Sequence, residues 1–467
     1  MISEVLENIS MRKALAYAAP AFALALVGIP LYIHIPKFYT DVVGVNIAVL
    51  GHILLGVRIF DAVTDPMMGL LSDKTETRFG RRRPYIAGGA LALAVAMYLL
   101  FNPPSASPSF ETAWFGIWIF GVFLFWTIIV VPYESLGPEL TFDYDERTVL
   151  FGMRDGALMI GTLAAAASPI AISRVLGLSP DAEGERLKFF WLSVLYVPLI
   201  IGLSWWCVAS IQERARDQES ASANLMKGLN HVIRNRPFLI LIAANTVSSL
   251  GNNLPAVLIL YFVQYILHSA HAGLFLVLYL VTGIFFLPAW VLLARRWDKK
   301  KTWLAAMAVN TGPFFGVFFL GPSDTLLYGV LVFLSGTGFG ATVALPSAMQ
   351  ADVIDYDELL SGARREGHYI GIWSITRKLA AAFGVGVALA ILGYAGYEPN
   401  VEQSAKVQSA LRILYCVVPC VCNLAAFIIL LAYPLTRTIH EEIRAAIPER
   451  HAGRPVCDPL NSYQQIA

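Results

Sequence analysis

The sequence predicts an all-α membrane protein of twelve transmembrane helices in two six-helix bundles, and three observations carry that reading. Hydrophobic residues are 57% of the 467-residue chain and charged residues only 14%, whereas soluble domains carry about 25% charge. Too few polar groups exist to cover a surface that faces water. Apolar stretches of about 20 residues, the length that crosses a bilayer core, recur six times on either side of one polar stretch. The basic residues gather in alternate connections instead of being spread along the chain.

In the first half the spans fall near 15–36, 45–71, 84–102, 113–133, 149–176 and 189–209. In the second they fall near 237–267, 272–294, 302–321, 325–349, 368–394 and 409–434. The first run is too long for the apolar core of a signal peptide and no A-x-A-like site follows it, so it reads as a retained span. Gly and Pro interrupt several runs, which membrane helices tolerate where neighbours satisfy the freed backbone groups. Lys74, Arg78, Arg81, Arg82 and Arg83 mark the 73–83 connection, and Arg214, Arg216, Lys227, Arg234 and Arg236 the polar stretch. Arg295, Arg296, Lys299, Lys300 and Lys301 mark a third, and Arg364 and Arg365 a fourth. The connections near 103–112, 268–271 and 322–324 have neither Lys nor Arg. By the positive-inside rule the basic connections and both termini are expected on the cytoplasmic side of a bacterial-type inner membrane.

The turn from Ser72-Asp73-Lys74 to Arg81-Arg82-Arg83 echoes the one that runs Arg295-Arg296-Trp297-Asp298-Lys299-Lys300-Lys301. Such an echo at matching positions predicts two bundles related by an axis along the membrane normal, with a solute site between them near the midplane. The expected organisation is an N-terminal bundle over 1–209, a cytoplasmic linker over 210–236, a C-terminal bundle over 237–434 and a cytoplasmic tail over 435–467. Within the tail, Ile439, Ile443 and Ile447 recur every fourth residue and suggest a short surface helix.

Ionisable residues inside spans are costly and are the candidates for function. Arg58, Asp61 and Asp65 recur every three or four residues in the second span and so share a helix face. Two carboxylates there repel one another unless a cation sits between them or one is protonated, which is the chemistry of a Na⁺ or H⁺ coupling site; Thr64 adds an oxygen. The competing reading is an ion-paired cluster that only holds helices together. Arg377 and Lys378 in the eleventh span need acidic partners, and the second-span acids are the ones available. Arg154 and Asp155 either pair locally or line the cavity, and Glu134 is a gate, packing or cavity residue. His34 and Lys37 close the first span and read as interfacial, snorkelling groups. Asn245, Asn252 and Asn253 suit a ligand or cross-helix bonds. Tyr32, Trp126, Tyr133 and Trp373 are aromatic candidates to stack on a sugar ring, although each alone also suits packing.

Other classes find little support. Cys416, Cys420 and Cys422 cluster in one apolar stretch without His or carboxylate partners, and with Cys207 and Cys457 they read as small apolar side chains. Gly336-Thr-Gly338-Phe-Gly340 lies inside an apolar span with no preceding strand, so close helix packing is expected there and not a nucleotide loop. No Walker A, HExxH or GxSxG pattern occurs. No enzyme, no cofactor beyond a coupling ion, and no nucleic-acid partner is expected; the partners are a small solute and the bilayer.

Four stretches resemble the glycoside–pentoside–hexuronide:cation symporters of the major facilitator superfamily. They are Tyr39-Thr40-Asp41-Val-Val-Gly44; Arg58-Ile-Phe-Asp61-Ala-Val-Thr64-Asp65-Pro66-Met-Met-Gly69, running on through Ser72-Asp73-Lys74-Thr75 to Gly80-Arg81-Arg82-Arg83-Pro84; Ala351-Asp352-Val-Ile-Asp355-Tyr356; and Gly393-Tyr394 leading to Gly396-Tyr397-Glu-Pro399-Asn400-Val-Glu402-Gln403-Ser404. The resemblance implies the major facilitator fold, a monomer, and alternating access. It implies that Asp61 and Asp65 hold the coupling cation with help from Thr127, and that Arg58, Arg154 and Lys378 form the charge network. It places Asp73, Arg81, Arg82 and Arg83 in one cytoplasmic gate and Asp352, Asp355 and Tyr356 in another. The melibiose permease of that family uses an aspartate in span 1 and one in span 4 for galactoside hydroxyls. Here span 1 has no acid from Leu15 to Ile35, the span 4 position is Val130, Glu134 replaces a nearby tryptophan, and Thr64 replaces an asparagine. The reading is therefore cation-coupled uptake of a sugar, glycoside or sugar acid, with transport of a lysolipid or other amphiphile as the alternative.

Overall fold

The computed structural model describes residues 10–75, 77–140, 144–213, 235–362, 366–452 and 454–466. The basic pair Arg364 and Arg365, and the linker residues 214–234, lie outside them. Among the described residues twelve helices are long and apolar enough to cross a membrane. They are α1 (Met11–Val43), α2 (Ile47–Lys74), α3 (Arg83–Phe101), α4 (Pro108–Leu140), α5 (Tyr144–Val175), α6 (Ala182–Ser210), α7 (Arg236–Tyr265), α8 (Ala272–Arg296), α9 (Lys299–Phe319), α10 (Thr325–Ser361), α11 (Glu366–Ala395) and α12 (Ala405–Leu431). Polar residues start several of them, as the unpaired amides of a first turn require: the Asn46 side chain accepts from the Ala48 amide at 2.9 Å and Asp181 from Gly184 at 2.7 Å. In α1 the α-helix is interrupted by π turns at Pro30–His34 and Tyr39–Val43, and each carries a residue of the sites described below.

Each helix pairing of the first half recurs six helices later. α1 packs on α5 and α6 as α7 packs on α11 and α12; α2 on α4 as α8 on α10; α3 on α4 and α6 as α9 on α10 and α12. The halves meet where α2 lies on α11, α5 on α8, and the end of α1 on α7. Glycines let backbones touch at these seams. A Cβ on Gly51 of α2 would stand 2.8 Å from the Gly386 carbonyl of α11, and one on Gly386 would stand 2.8 Å from Leu55 Cβ. In the Gly336–Gly340 run, a Cβ on Gly338 would stand 2.6 Å from the Ala306 carbonyl of α9. That run is a helix–helix contact.

Two elements depart from expectation. α10 continues well past 349 to Ser361, its last turns burying the acids Asp352, Asp357 and Glu358 together with Met349, Val353 and Leu359. The tail forms α13 (Arg437–His451), whose Ile443 is wholly buried, so it docks on the C-terminal bundle and is more than a loose surface helix. An antiparallel hairpin follows, β1 (Val456–Asp458) with β2 (Asn461–Ile466), pairing Val456 with Ile466 and Cys457 with Gln465. It adds two short strands to an otherwise helical chain.

The α2–α11 seam has a sharp test. Gly386→Ala should lower the apparent melting temperature in detergent, because overpacking a tight contact costs about 1–3 kcal/mol. Gly371→Ala, on the same helix with nothing within 4 Å of the added carbon, should leave it unchanged or raise it, since Ala is the better helix former by about 1 kcal/mol.

Candidate cation and solute site

α2 presents Arg58, Asp61 and Asp65 on one face toward α4 and α11. The Thr127 hydroxyl of α4 stands 2.9 Å from Asp61 Oδ1 and 2.9 Å from Asp65 Oδ1, bridging the two carboxylates. Lys378 Nζ of α11 lies 3.1 Å from Asp61 Oδ2 and also pairs directly with Asp65 Oδ2. Arg58 Nη1 is 3.9 Å from Asp61 Oδ2. The Arg58 guanidinium is buried between aromatic rings, its carbon 4.1 Å from the centroid of Tyr32, in the first π turn of α1, and 4.6 Å from that of Phe123. Exposure falls inward across the group, from 24% for the Lys378 side chain and 21% for Asp65 to 5% for Asp61. Two acids thus share one fully engaged ammonium and one ring-stacked guanidinium.

The other expected residues separate into those near this cluster and those turned elsewhere. Thr64 is beside the acids, but its hydroxyl bonds to the Asp61 carbonyl 3.2 Å away. Arg154 does not join the network: it pairs with Asp155 at 2.8 Å and lies over Phe151. Trp126 and Val130 are half-buried on α4, and Glu134 is exposed. Tyr133 faces the interior of the N-terminal bundle, 3% exposed, with its hydroxyl donating to the Tyr17 carbonyl at 2.7 Å. Trp373 is likewise packed in the core of the C-terminal bundle. Asn252 accepts from Asn423 at 3.1 Å and donates to Ser248 at 3.2 Å, a bond network between α7 and α12.

At the face away from the basic connections, Asp41 in the second π turn of α1 gathers groups from both halves. The Tyr265 hydroxyl donates to Oδ2 at 2.8 Å, the Tyr397 hydroxyl to Oδ1 at 2.6 Å, and Asn400 Nδ2 to the Asp41 carbonyl at 2.5 Å. Lys37 pairs with Asp41 at 2.5 Å and lies 4.8 Å from the ring centroids of Tyr261 and Tyr265, so it is part of a latch and not a snorkelling end group. Asn400 holds a positive φ of 61°, which Asn tolerates better than most residues. Burial, with the Asp41 charge adding to it, holds the Tyr397 phenol far above its ordinary pKa, so it stays a donor. Sequence reading singled out both stretches but saw no reason for either; here they close one face of the molecule.

At the basic face Glu213, which no motif flagged, accepts the backbone amides of Arg81, Arg82 and Arg83 at 2.8, 2.9 and 2.7 Å. Arg82 also donates to the Ser135 carbonyl and Arg83 to that of Val208. Gly80, at φ 104°, has that carboxylate where a Cβ would stand. Asp73 lies in the last turn of α2, and its side chain is outside the described residues. Asp352 pairs with Lys299 at 2.6 Å, His440 of α13 stands 3.0 Å from Asp355, and the Tyr356 hydroxyl reaches Asp458 of β1 at 3.1 Å. These three lie on the last turns of α10, with the tail docked against them.

The chain resembles known proteins over nearly its whole length. The family model described as MFS/sugar transport protein matches residues 16–437. The isoprimeverose transporter of Lactiplantibacillus pentosus is 29% identical over 423 residues, covering 89% of this chain and 86% of its own. A putative glycoside/cation symporter of Escherichia coli strain K12 is 27% identical over 449 residues, covering 96% and 97%. Among solved structures, the nucleoside transporter NupG superposes with a TM-score of 0.66 at 13% identity, covering 89% of this chain and 100% of that one, a likeness of fold.

Two outcomes test this geometry. Lys378→Met should destabilise the protein at neutral pH by about 3–5 kcal/mol at most, since it leaves two adjacent carboxylates without their cation. Protonating one relieves the repulsion, so thermal stability of this variant relative to wild type should recover as pH falls; a deficit independent of pH would mean that the lysine only fills space. Tyr397→Phe removes a hydrogen bond to a charged group, a contribution of about 1.5–3 kcal/mol. Spin labels at Ser107 and Ala270, in connections on the latched face, should then show the longer-distance population enriched tenfold or more, against no change for a phenol that plays no part in closure.

Proposed function

The chain belongs to the MFS/sugar transport protein family, within its glycoside–pentoside–hexuronide:cation symporter group, and from that membership we propose cation-coupled import of a small sugar-type solute by alternating access. The observation that carries the proposal is the cluster of Asp61, Asp65, Thr127 and Lys378. Hard oxygen ligands from two helices face a lysine from the other half, so a coupling cation and Lys378 compete for the same carboxylates. Na⁺, taking oxygen ligands, or H⁺, neutralising one acid, would each release Lys378 and leave the acids satisfied. Either event loosens the ion-paired tie that Lys378 makes between α2 and α11 and lets the halves rearrange.

The basic connections assign their own face to the cytoplasm. On that orientation the contacts of Asp41, closed on the opposite side, support reading the conformation described above as inward-facing. Outward opening requires breaking the bonds of Asp41 to Tyr265, Tyr397 and Asn400. The gate residues on the cytoplasmic side, Arg81–Arg83 with Asp73 and the Asp352–Tyr356 turns, would close in exchange. Solute would sit between the bundles at the level of Tyr32, Trp126, Val130 and Glu134, where Glu134 supplies the carboxylate for sugar hydroxyls that span 1 and Val130 do not. The amphiphile alternative is not favoured, because the relatives are sugar-type symporters and the midplane groups include exposed charges. The family transports, and no catalytic role is assigned.

Asp65→Asn decides the coupling role. In vesicles it should abolish concentrative uptake while leaving solute exchange or binding, because a neutral amide cannot exchange one cation for another. Undiminished accumulation would sink the assignment.

A further inference from the structure

Beside the lysine that engages the acids stands a second cation with no such partner. Ile370, Ser374, Arg377 and Ala381 recur every three or four residues and share one face of α11. Farther along, that same face is carried by Val385, Ala388 and Leu392, which are 7%, 1% and 0% exposed where the two halves close on one another. The exposed end of the face therefore looks into the cleft between the bundles, not into lipid. Arg377 is exposed there, and among the described residues it makes no hydrogen bond or ion pair. Its charge acts across the cleft on Tyr32 of α1 and Glu134 of α4, yet no ion pair joins it to Glu134 among the described residues. Lys378, the next residue, has two carboxylates.

The charge balance says what is missing. Along these helices stand Arg58, Arg154, Arg377 and Lys378, matched in number by Asp61, Asp65, Glu134 and Asp155. The coupling cation adds one positive charge to a balanced set. When the cleft closes around solute it also dehydrates Arg377, and a buried charge without a partner is costly. A neutral sugar leaves both problems in place, and an anionic one removes both. A guanidinium is also the fork that takes a carboxylate through two parallel hydrogen bonds.

We propose that the solute is a sugar acid carrying one carboxylate, and that Arg377 is the specificity-determining residue that holds that carboxylate in the cleft. This inference rests on the sugar-symport reading and narrows its substrate class. Glu134 then meets hydroxyls on the other side of the ring, and solute and coupling cation together leave the closed site electrically neutral.

The test measures binding to the detergent-purified full chain, by calorimetry and by thermal stabilisation, for matched pairs: glucuronate and galacturonate against glucose and galactose, and the methyl glycosides of each, with Na⁺ present and absent at two pH values. The wild type should bind at least one uronate about tenfold or more tighter than its neutral counterpart, as expected for a charge-assisted bidentate contact. Arg377→Gln should bring the two affinities together, and Arg377→Lys should restore part of the difference; the ligand-free melting temperature of each variant reports its folding. A wild type that prefers the neutral partner, or a preference for uronate that Arg377→Gln leaves intact, overturns the proposal while leaving sugar symport standing. Uronate binding lost in Arg377→Gln, but without cation-driven accumulation in proteoliposomes, supports the proposal and instead overturns the coupling reading. If no sugar or uronate binds the folded wild type, both fall.

Discussion

A pair of carboxylates on one helix face, one of them only 5% exposed, is the constraint on which the rest of this molecule depends. Asp61 and Asp65 cannot both stay ionised there without positive charge at hand. Lys378 reaches across from α11, Arg58 stands 3.9 Å from Asp61 on their own helix, and the Thr127 hydroxyl lies 2.9 Å from an oxygen of each acid with one proton to donate. On the proposed function, stability of the closed α2–α11 seam and occupancy of the cation site are then the same question. Whatever neutralises the acids decides whether the two halves are tied at that level.

In the proposed cycle the packing turns this local competition into a movement of whole bundles. Gly51 and Gly386 bring α2 and α11 into backbone contact on the latched side of the acids, leaving no room there for a larger side chain. Beyond it, the Asp41 group holds the far face shut with polar bonds instead of interdigitated apolar side chains. Polar latches suit a surface that must open to water, because each broken bond is replaced by one to solvent, and the net contribution of a hydrogen bond is only about 0.5–1.5 kcal/mol. The buried core follows the same division. One continuous cluster joins residues of both halves, while a second, around Trp303, Tyr369 and Trp373, stays within the C-terminal bundle together with its docked tail.

The spans were legible because the bilayer imposes a length, which composition records directly. The acids of α2 were legible because ionisable groups inside an apolar run stand out. What escaped notice depends on tertiary proximity or on amphipathic pattern. Arg154 sits in an apolar run as Arg58 does, and nothing in the sequence says that Asp155 satisfies it locally. Tyr133 and Trp373 are aromatic residues near candidate sites, but on a helix one position shifts the side chain by about 100°, enough to turn either into packing. Glu213 is an ordinary acid in a polar stretch until the chain folds its carboxylate onto three consecutive amides. The last turns of α10 look like a loop to any measure of mean hydropathy, because Asp352, Asp357 and Glu358 make the stretch polar on average although all three are buried.

The adjacency of Arg377 and Lys378 bears on why one helix would serve both the ion and the solute. Consecutive residues on α11 point about 100° apart, so one faces the acids of α2 while the other faces the cleft. In the proposed cycle a coupling cation that takes Asp61 and Asp65 frees Lys378, and a solute carboxylate that takes Arg377 supplies negative charge beside it. Each ligand thereby removes the electrostatic cost that the other would create. Binding of either raises the affinity of the other by the same factor, as linkage demands. Coupling of this kind needs no long pathway through the protein, because the lysine that the cation displaces and the arginine that the carboxylate takes are adjacent residues of one helix.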